Sequence, residues 1–160
     1  MIRFTPPTQD DVVVLGDAMR LADREELAAC GEYDTHAVAR RCVAGAALTW
    51  SASDDGGLLC ILGVSPLRPA LLLEHVGTPW LLGTFRLFSP GSESAHRRSL
   101  VADSRAYIAL MLARFPVLIN FVHAKNTRST RWLASLGFTV APAAPYGPHG
   151  APFHRFEKHV

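Results

Sequence analysis

The chain has 160 residues, 49% apolar and 19% charged, the balance of an ordinary globular domain long enough for one sizeable core. No stretch approaches the roughly 18 apolar residues of a membrane-spanning helix, and Met1-Ile-Arg-Phe-Thr-Pro-Pro has no apolar run behind its arginine, so neither a membrane span nor a secretory signal peptide is expected. The net charge of +2 conceals a split: residues 1–80 hold six Arg against eleven Asp and Glu (net −5), and residues 81–160 hold ten Lys and Arg against three (net +7).

Ile2 to Phe4 reads as a short strand stopped by Pro6-Pro7. Thr8 then caps a helix with Asp10 and Asp11 in its first turn, the end where the macrodipole favours acids. Val12, Leu15 and Met19 share one face of it. A second helix is expected from Asp23 to Cys30, ending at Gly31, and a third from the cap Asp34 to about Ala44. Leu48–Ala52 and Leu58–Val64 flank Asp54-Asp-Gly-Gly57, a β-hairpin with its turn residues in place. Pro66 and Pro69 break the chain, and Trp80–Phe85 reads as a buried strand. Ser92 begins the longest helix, which Pro116 ends after Arg114. Val117–Val122 is a buried strand.

Asn126 to Gly137 is a short helix with both ends written into it. The side-chain oxygen of Asn126 can accept from the first turn, and Gly137 suits the left-handed residue after the last. Phe138–Ala141 follows as a strand. Ala141–Pro152 holds four prolines and two glycines and is expected to be a loop; Phe153–His159 alternates as a final strand. Neither a repeat nor a linker divides the chain. N-terminal helices, a central β-hairpin and then β-α-β-α-β predict one α/β (α+β) domain, residues 1–160, with a mixed sheet.

Chemistry-bearing residues are few. Glu25-Glu26 reads first as solvated helix surface. The alternative is a general base, and since neighbours on a helix point about 100° apart, only one of the two could face a site. His123, between a buried strand and Asn126, is the best-placed histidine for a site, although a satisfied core or edge histidine accounts for it as well. His149, His154 and His159 recur every five residues, which alternates faces in an extended segment, so no metal site is expected. Cys30, Cys42 and Cys60 form no CxxC pair and read as buried free thiols in a reducing compartment. The basic half could meet a phosphorylated ligand, nucleic acid or an acidic protein surface, or simply neutralise the acidic half. Nucleic acid is disfavoured, because Trp50, Trp80 and Trp132 lie in no basic aromatic array.

The order of elements resembles the GNAT fold of acyl-CoA N-acyltransferases. That family's second conserved block has Asn, a small residue three on, Tyr seven on and Gly-Phe eleven and twelve on; here these are Asn126, Ser129, Leu133, Gly137 and Phe138. The resemblance implies that Asn126 lies beside the pantetheine arm of an acyl-CoA. It also implies that the usual acid for the departing thiolate is missing, since Leu133 has no proton to give. The first block, a glycine-rich phosphate loop, is replaced by Phe88-Ser-Pro-Gly-Ser-Glu-Ser-Ala-His-Arg-Arg98. It has one glycine, Gly91, and a competing acid, Glu93, so phosphate would fall to the side chains of Arg97 and Arg98.

Trp80-Leu-Leu-Gly-Thr84, the 118–138 segment and the Gly147–Phe156 tail also resemble small GNAT-like proteins encoded with the internal-core genes of short-tailed bacteriophages. That narrower likeness implies a virion-associated or morphogenetic protein with no assured enzyme activity and no cofactor. It would be located in the virion or the host cytoplasm. Its partners would be other virion or assembly proteins, with homo-oligomerisation left open. The alternative function is an active N-acyltransferase that takes acetyl-CoA or another acyl-CoA to an amine.

Overall fold

The computed structural model describes residues 1–67, 74–89 and 94–160, with the backbone alone for 94–97. Local signals set most of the elements. Strand β1 (Arg3–Thr5) gives way to helix α1 (Gln9–Ala18). Thr8 and Asp11 satisfy each other's backbone N–H groups there, at 3.1 and 2.8 Å. Helix α2 (Leu21–Ala29) starts two residues earlier than its sequence pattern suggests, so Asp23 falls in its first turn and is fully buried. Helix α3 (Thr35–Gly45) is capped by Asp34, whose Oδ1 accepts from Ala37 N–H at 3.0 Å.

Strands β2 (Leu48–Asp54) and β3 (Gly57–Pro66) form the expected hairpin. Strand β4 (Val76–Gly83) begins four residues before Trp80 and stops short of Phe85. Helix α4 (Ser94–Arg114) leads into β5 (Val117–His123); its expected start at Ser92 lies outside the described residues. Helix α5 (Thr127–Ser135) ends as predicted. Gly137 has φ +84°, its N–H donates to Ala134 O at 3.0 Å, and Phe138 N–H donates to Leu133 O at 3.1 Å, the paired bonds of a left-handed helix stop.

Strand β6 is only Thr139–Val140. The segment expected to be a loop contains a further strand, β7 (Ala144–Tyr146), turned by Gly147 and Gly150 into β8 (Ala151–His159). Prolines hid it. Pro145 lies opposite Pro152, and the edge position tolerates two residues that cannot donate.

Among the described residues these strands form one mixed sheet in the order β1-β2-β3-β4-β5-β8-β6, with β7 also on β8. Only β4 and β5 pair in parallel, as the helical crossover between them requires. Helices cover both faces. Leu15, Val38, Ile61 and Leu82 belong to the core beneath α1 and α3; Leu62, Met111, Phe115, Leu118 and Leu136 belong to the core beneath α4 and α5. The alternation of Ile61 with Leu62 shows how one strand feeds both layers.

Replacing Gly137 with alanine puts a Cβ into the left-handed region and against Lys158 Nζ at 2.6 Å. A loss of about 1–2 kcal/mol is expected, read as a lower urea midpoint at unchanged m-value.

Candidate functional site

Strands β4 and β5 pair at two positions only, Val76 with Val117 and Gly77 with Leu118, and then diverge. Two residues explain where. Pro79 has no N–H to offer a ladder. Asn120 fills the widening gap: its Nδ2 donates to Pro79 O at 2.7 Å, and its Oδ1 accepts from Phe121 N–H at 2.8 Å. One carboxamide therefore stands in for a rung of the sheet.

At the far end of β4 the link between α1 and α2 closes the edge. Arg20 N–H donates to Gly83 O at 2.8 Å, and Gly83 N–H donates to Asp23 Oδ2 at 2.7 Å. Asp23 holds Arg20 in a fork of 2.7 and 2.8 Å bonds, and Arg20 reaches Ser129 Oγ at 3.3 Å. Pro79 and Gly83 thus both turn a backbone group toward the splay. By the period of two, Leu81 between them turns its N–H and C=O into the open gap.

The splay opens a cavity of about 380 Å³ that reaches both faces of the sheet, from Leu27 and Cys30 of α2 to Ile108 and Met111 of α4. Its walls are mostly apolar. Among the described residues, only Arg20, Asp23 and Glu26 bring charge to it, and the first two are paired with each other. Glu26 is different. Its Oε1 accepts from the backbone N–H of His123 at 2.6 Å, the group that β5 would otherwise have turned to a neighbouring strand. Burial pushes its carboxyl up to about 7 from an ordinary 4.5; the His123 N–H opposes that, Asp23 adds to it and Arg20 subtracts. A carboxylate held near neutrality in a cleft is equipped to take a proton from a bound group.

A second cavity, about 330 Å³, adjoins the first and shares Arg20, Phe88 and Asn126 with it. It is lined by the start of α5, with Lys125, Thr127 and Arg128, and by Thr84 and Phe85 beyond β4. Arg128 lies over the Phe88 ring, 5.2 Å from its centroid. Among the described residues Arg86–Asp54 is the one ion pair between the acidic and basic halves, and Lys125 and Arg128 bring positive charge to this mouth.

The structure sorts the predicted site residues. Glu26 and His123 do meet, but through the backbone of His123. The His123 imidazole accepts from Lys125 N–H at 3.2 Å, packs edge-on to Phe153 and is not among the described residues lining the cavity. Glu26 is not solvated helix surface; Glu25 is. Asn126 is buried, caps α5 by accepting from Ser129 N–H at 3.3 Å, and lines both cavities. Arg98 is exposed and lines neither cavity, while the Arg97 side chain, Gly91 and Glu93 lie outside the described residues. Leu133 lines the main cavity at the position expected of a tyrosine. The three cysteines are unbonded, and burial pushes all three thiols up. His149, His154 and His159 have separate partners in Tyr33, Ala141 O and Glu157.

Sequence reasoning missed Arg20, Asp23, Asn120 and Tyr146. Only Pro79, a proline inside an apolar strand, carried a readable sign of where the sheet opens.

No family model matches this sequence, and no curated protein matches it in sequence. Solved structures do match in fold. The chain resembles a GNAT-family acetyltransferase from Bacillus anthracis with TM-score 0.70 at 12% identity, over 99% of this chain and 94% of that one. It resembles a ribosomal-protein-alanine N-acetyltransferase from Brucella melitensis with TM-score 0.68 at 19% identity, over 100% and 99%. It also resembles a GCN5-related N-acetyltransferase from Kribbella flavida with TM-score 0.64 at 20% identity, over 99% and 98%. The fold is that of the GNAT N-acetyltransferases; at these identities the likeness extends to the fold alone.

Asn120→Ala removes the partner of both Pro79 O and Phe121 N–H, and a loss of about 1–3 kcal/mol is expected in urea unfolding. Glu26 also sets a pH slope. Its native carboxyl titrates above the unfolded one, so the native state holds extra protons between about 4.5 and about 7. Its contribution to stability is therefore greatest below that window and falls as pH rises through it. Glu26→Gln, which can still accept from His123 N–H, is expected to flatten this slope and to raise the melting temperature at pH 8 relative to the wild type.

Proposed function

We propose that this chain is an N-acyltransferase that moves an acyl group from a pantetheine thioester, acetyl-CoA in the first instance, to an amine. The observation that carries this reading is Glu26: one unpaired carboxylate, raised to about 7, set in an open cleft between splayed parallel strands. A scaffold retaining the fold without its chemistry has no use for either feature, since filling the gap with apolar side chains would be more stable. The virion role implied by the sequence resemblance has no counterpart among these findings, and the matched structures named above are acetyltransferases.

The residues divide the work as follows. Lys125 and Arg128 hold the anionic end of the donor at the smaller cavity. They replace a glycine-rich phosphate loop by side-chain charge. The thioester enters the main cavity past Asn126, where Leu81 N–H is placed to stabilise the charge that develops on the acyl oxygen. The amine nitrogen attacks the acyl carbon; the C–N bond forms and the C–S bond breaks. Glu26 accepts the proton that the nitrogen sheds, directly or through a water, and that proton ends on the thiol product through solvent.

Leu133 supplies no acid, but a thiol with an ordinary pKa of about 8.5 leaves readily as thiolate. The missing tyrosine limits the rate without forbidding the reaction.

Titration calorimetry with acetyl-CoA tests the reading directly. Binding in the micromolar to millimolar range is expected, weakened roughly tenfold in Lys125→Ala/Arg128→Ala and weakened further by salt. Absence of heat and of any thermal shift at millimolar acetyl-CoA would sink it for that donor. With an accepted amine, kcat/KM is expected to rise with pH through about 7, as Glu26 becomes the base form. Glu26→Gln is expected to lose about 100-fold or more in kcat and to lose that pH dependence.

A further inference from the structure

The α2 side of the main cavity limits what acceptor can enter. Its surface is made by Leu27 of α2, Cys30 just after it, Phe121 of β5, Tyr146 of β7 and Phe153 of β8. Phe121 and Tyr146 stack with centroids 3.9 Å apart and planes within 13°, and Phe153 meets Tyr146 at 5.3 Å. This is a continuous aromatic wall reaching the surface at Tyr146, which is 40% exposed. Burial pushes the Cys30 thiol and the Tyr146 hydroxyl up, so both present neutral groups.

The charge available to an acceptor is equally limited. Arg20 is the one cation among the described lining residues, and Asp23 neutralises it through Nε and Nη2. An acceptor's own carboxylate would be stripped of water there and meet only a cation whose charge Asp23 already offsets. Among the described lining residues Glu26 offers the one carboxylate not already in an ion pair, and of its two oxygens only Oε1 has a bond to a described residue. It can serve one amine. A second cationic centre on the same molecule would be buried against apolar wall.

We infer, on the premise of the acyltransferase reading above, that the acceptor is an apolar primary amine with no acid group, of the phenethylamine or tryptamine kind. Its nitrogen meets Glu26, and its ring lies along the Phe121–Tyr146–Phe153 wall. In the attacking form the nitrogen is neutral, so nothing charged need remain in the cavity once the amide has formed. The released proton leaves through Glu26, as above.

The test is a panel run with the full chain: tryptamine and phenethylamine, their amino-acid counterparts tryptophan and phenylalanine, and spermidine. Each is titrated alone by calorimetry and assayed with acetyl-CoA by thiol release. The two aromatic amines are expected to bind without donor and to exceed the amino acids and spermidine in kcat/KM by roughly 100-fold or more. Phe121→Ala and Tyr146→Ala are expected to weaken tryptamine about tenfold while leaving acetyl-CoA affinity intact, which a merely misfolded variant would not do. Preference for tryptophan or spermidine overturns the assignment. So does a protein that binds acetyl-CoA yet neither binds nor consumes the aromatic amines; in that case the donor reading stands. If tryptamine binds in a manner lost in Glu26→Gln while acetyl-CoA does not bind, the pocket assignment stands and the donor reading falls. Failure of both ligands removes both.

Discussion

Everything of chemical interest in this chain follows from two parallel strands that stop pairing. Strands β4 and β5 share two residue pairs and then separate. A sheet interrupted at its centre ordinarily leaves backbone donors and acceptors stranded, at a cost of about 1–3 kcal/mol each. Here each is given a deliberate partner or a deliberate vacancy. Asn120 ties Pro79 O to Phe121 N–H, Asp23 and Arg20 tie off Gly83, and Glu26 takes His123 N–H. Leu81 lies between tied positions and, by the alternation of the strand, turns its N–H and C=O toward the gap. The cleft is thus a rigid absence of ladder with its rims secured from both sides.

The same helix supplies two carboxylates to that rim, three residues apart and on one face, and their surroundings give them opposite characters. Asp23 has a guanidinium fork and a backbone N–H, so its charge is fully engaged. Glu26 has one N–H and apolar neighbours, so its charge is costly and its proton is loosely committed near neutrality. Asp23 also pushes Glu26 in that direction, while Arg20 holds it back. A structural acid and a reactive acid therefore arise from the same helix face through differences in partners alone. The stability sacrificed by keeping Glu26 unpaired leaves a carboxyl that exchanges its proton near neutrality.

The parts of this arrangement that depend on near neighbours were legible in the sequence. The caps at Thr8, Asp34 and Asn126, the Asp-Gly hairpin turn and the Gly137 stop are each fixed within a few residues, and the structure keeps them. The parts that depend on register were not. A two-residue difference in where α2 starts decides that Asp23 is core and that Glu26 faces the cleft; its apolar pattern is too weak to fix that phase. Strand β7 was hidden because Pro142, Pro145 and Pro148 are turn signals almost everywhere except at an edge. The meeting of residues 26 and 123 spans nearly 100 positions, and no local rule reaches that far. His123 was singled out for its side chain, whereas its backbone is what matters.

The leucine at position 133 bears on mechanism differently once the cleft is known. From sequence alone, losing a tyrosine from an acyl-transfer signature suggests that the chemistry has gone. The demands of the two proton transfers are unequal, however. An amine must give up a proton as it becomes an amide, and it needs a base with a pKa near the working pH. A thiolate is a weak base that can depart without help and be protonated by water later. On the acyltransferase reading proposed above, a chain with a base at Glu26 and no acid at position 133 keeps the more demanding half of the catalysis. Leu133 also lines the main cavity beside Leu136 and Met111, where its side chain adds apolar surface. That strengthens any interaction of Glu26 or Leu81 N–H with a reacting group. On that reading Leu133 gives up proton donation and adds apolar wall beside the reacting groups.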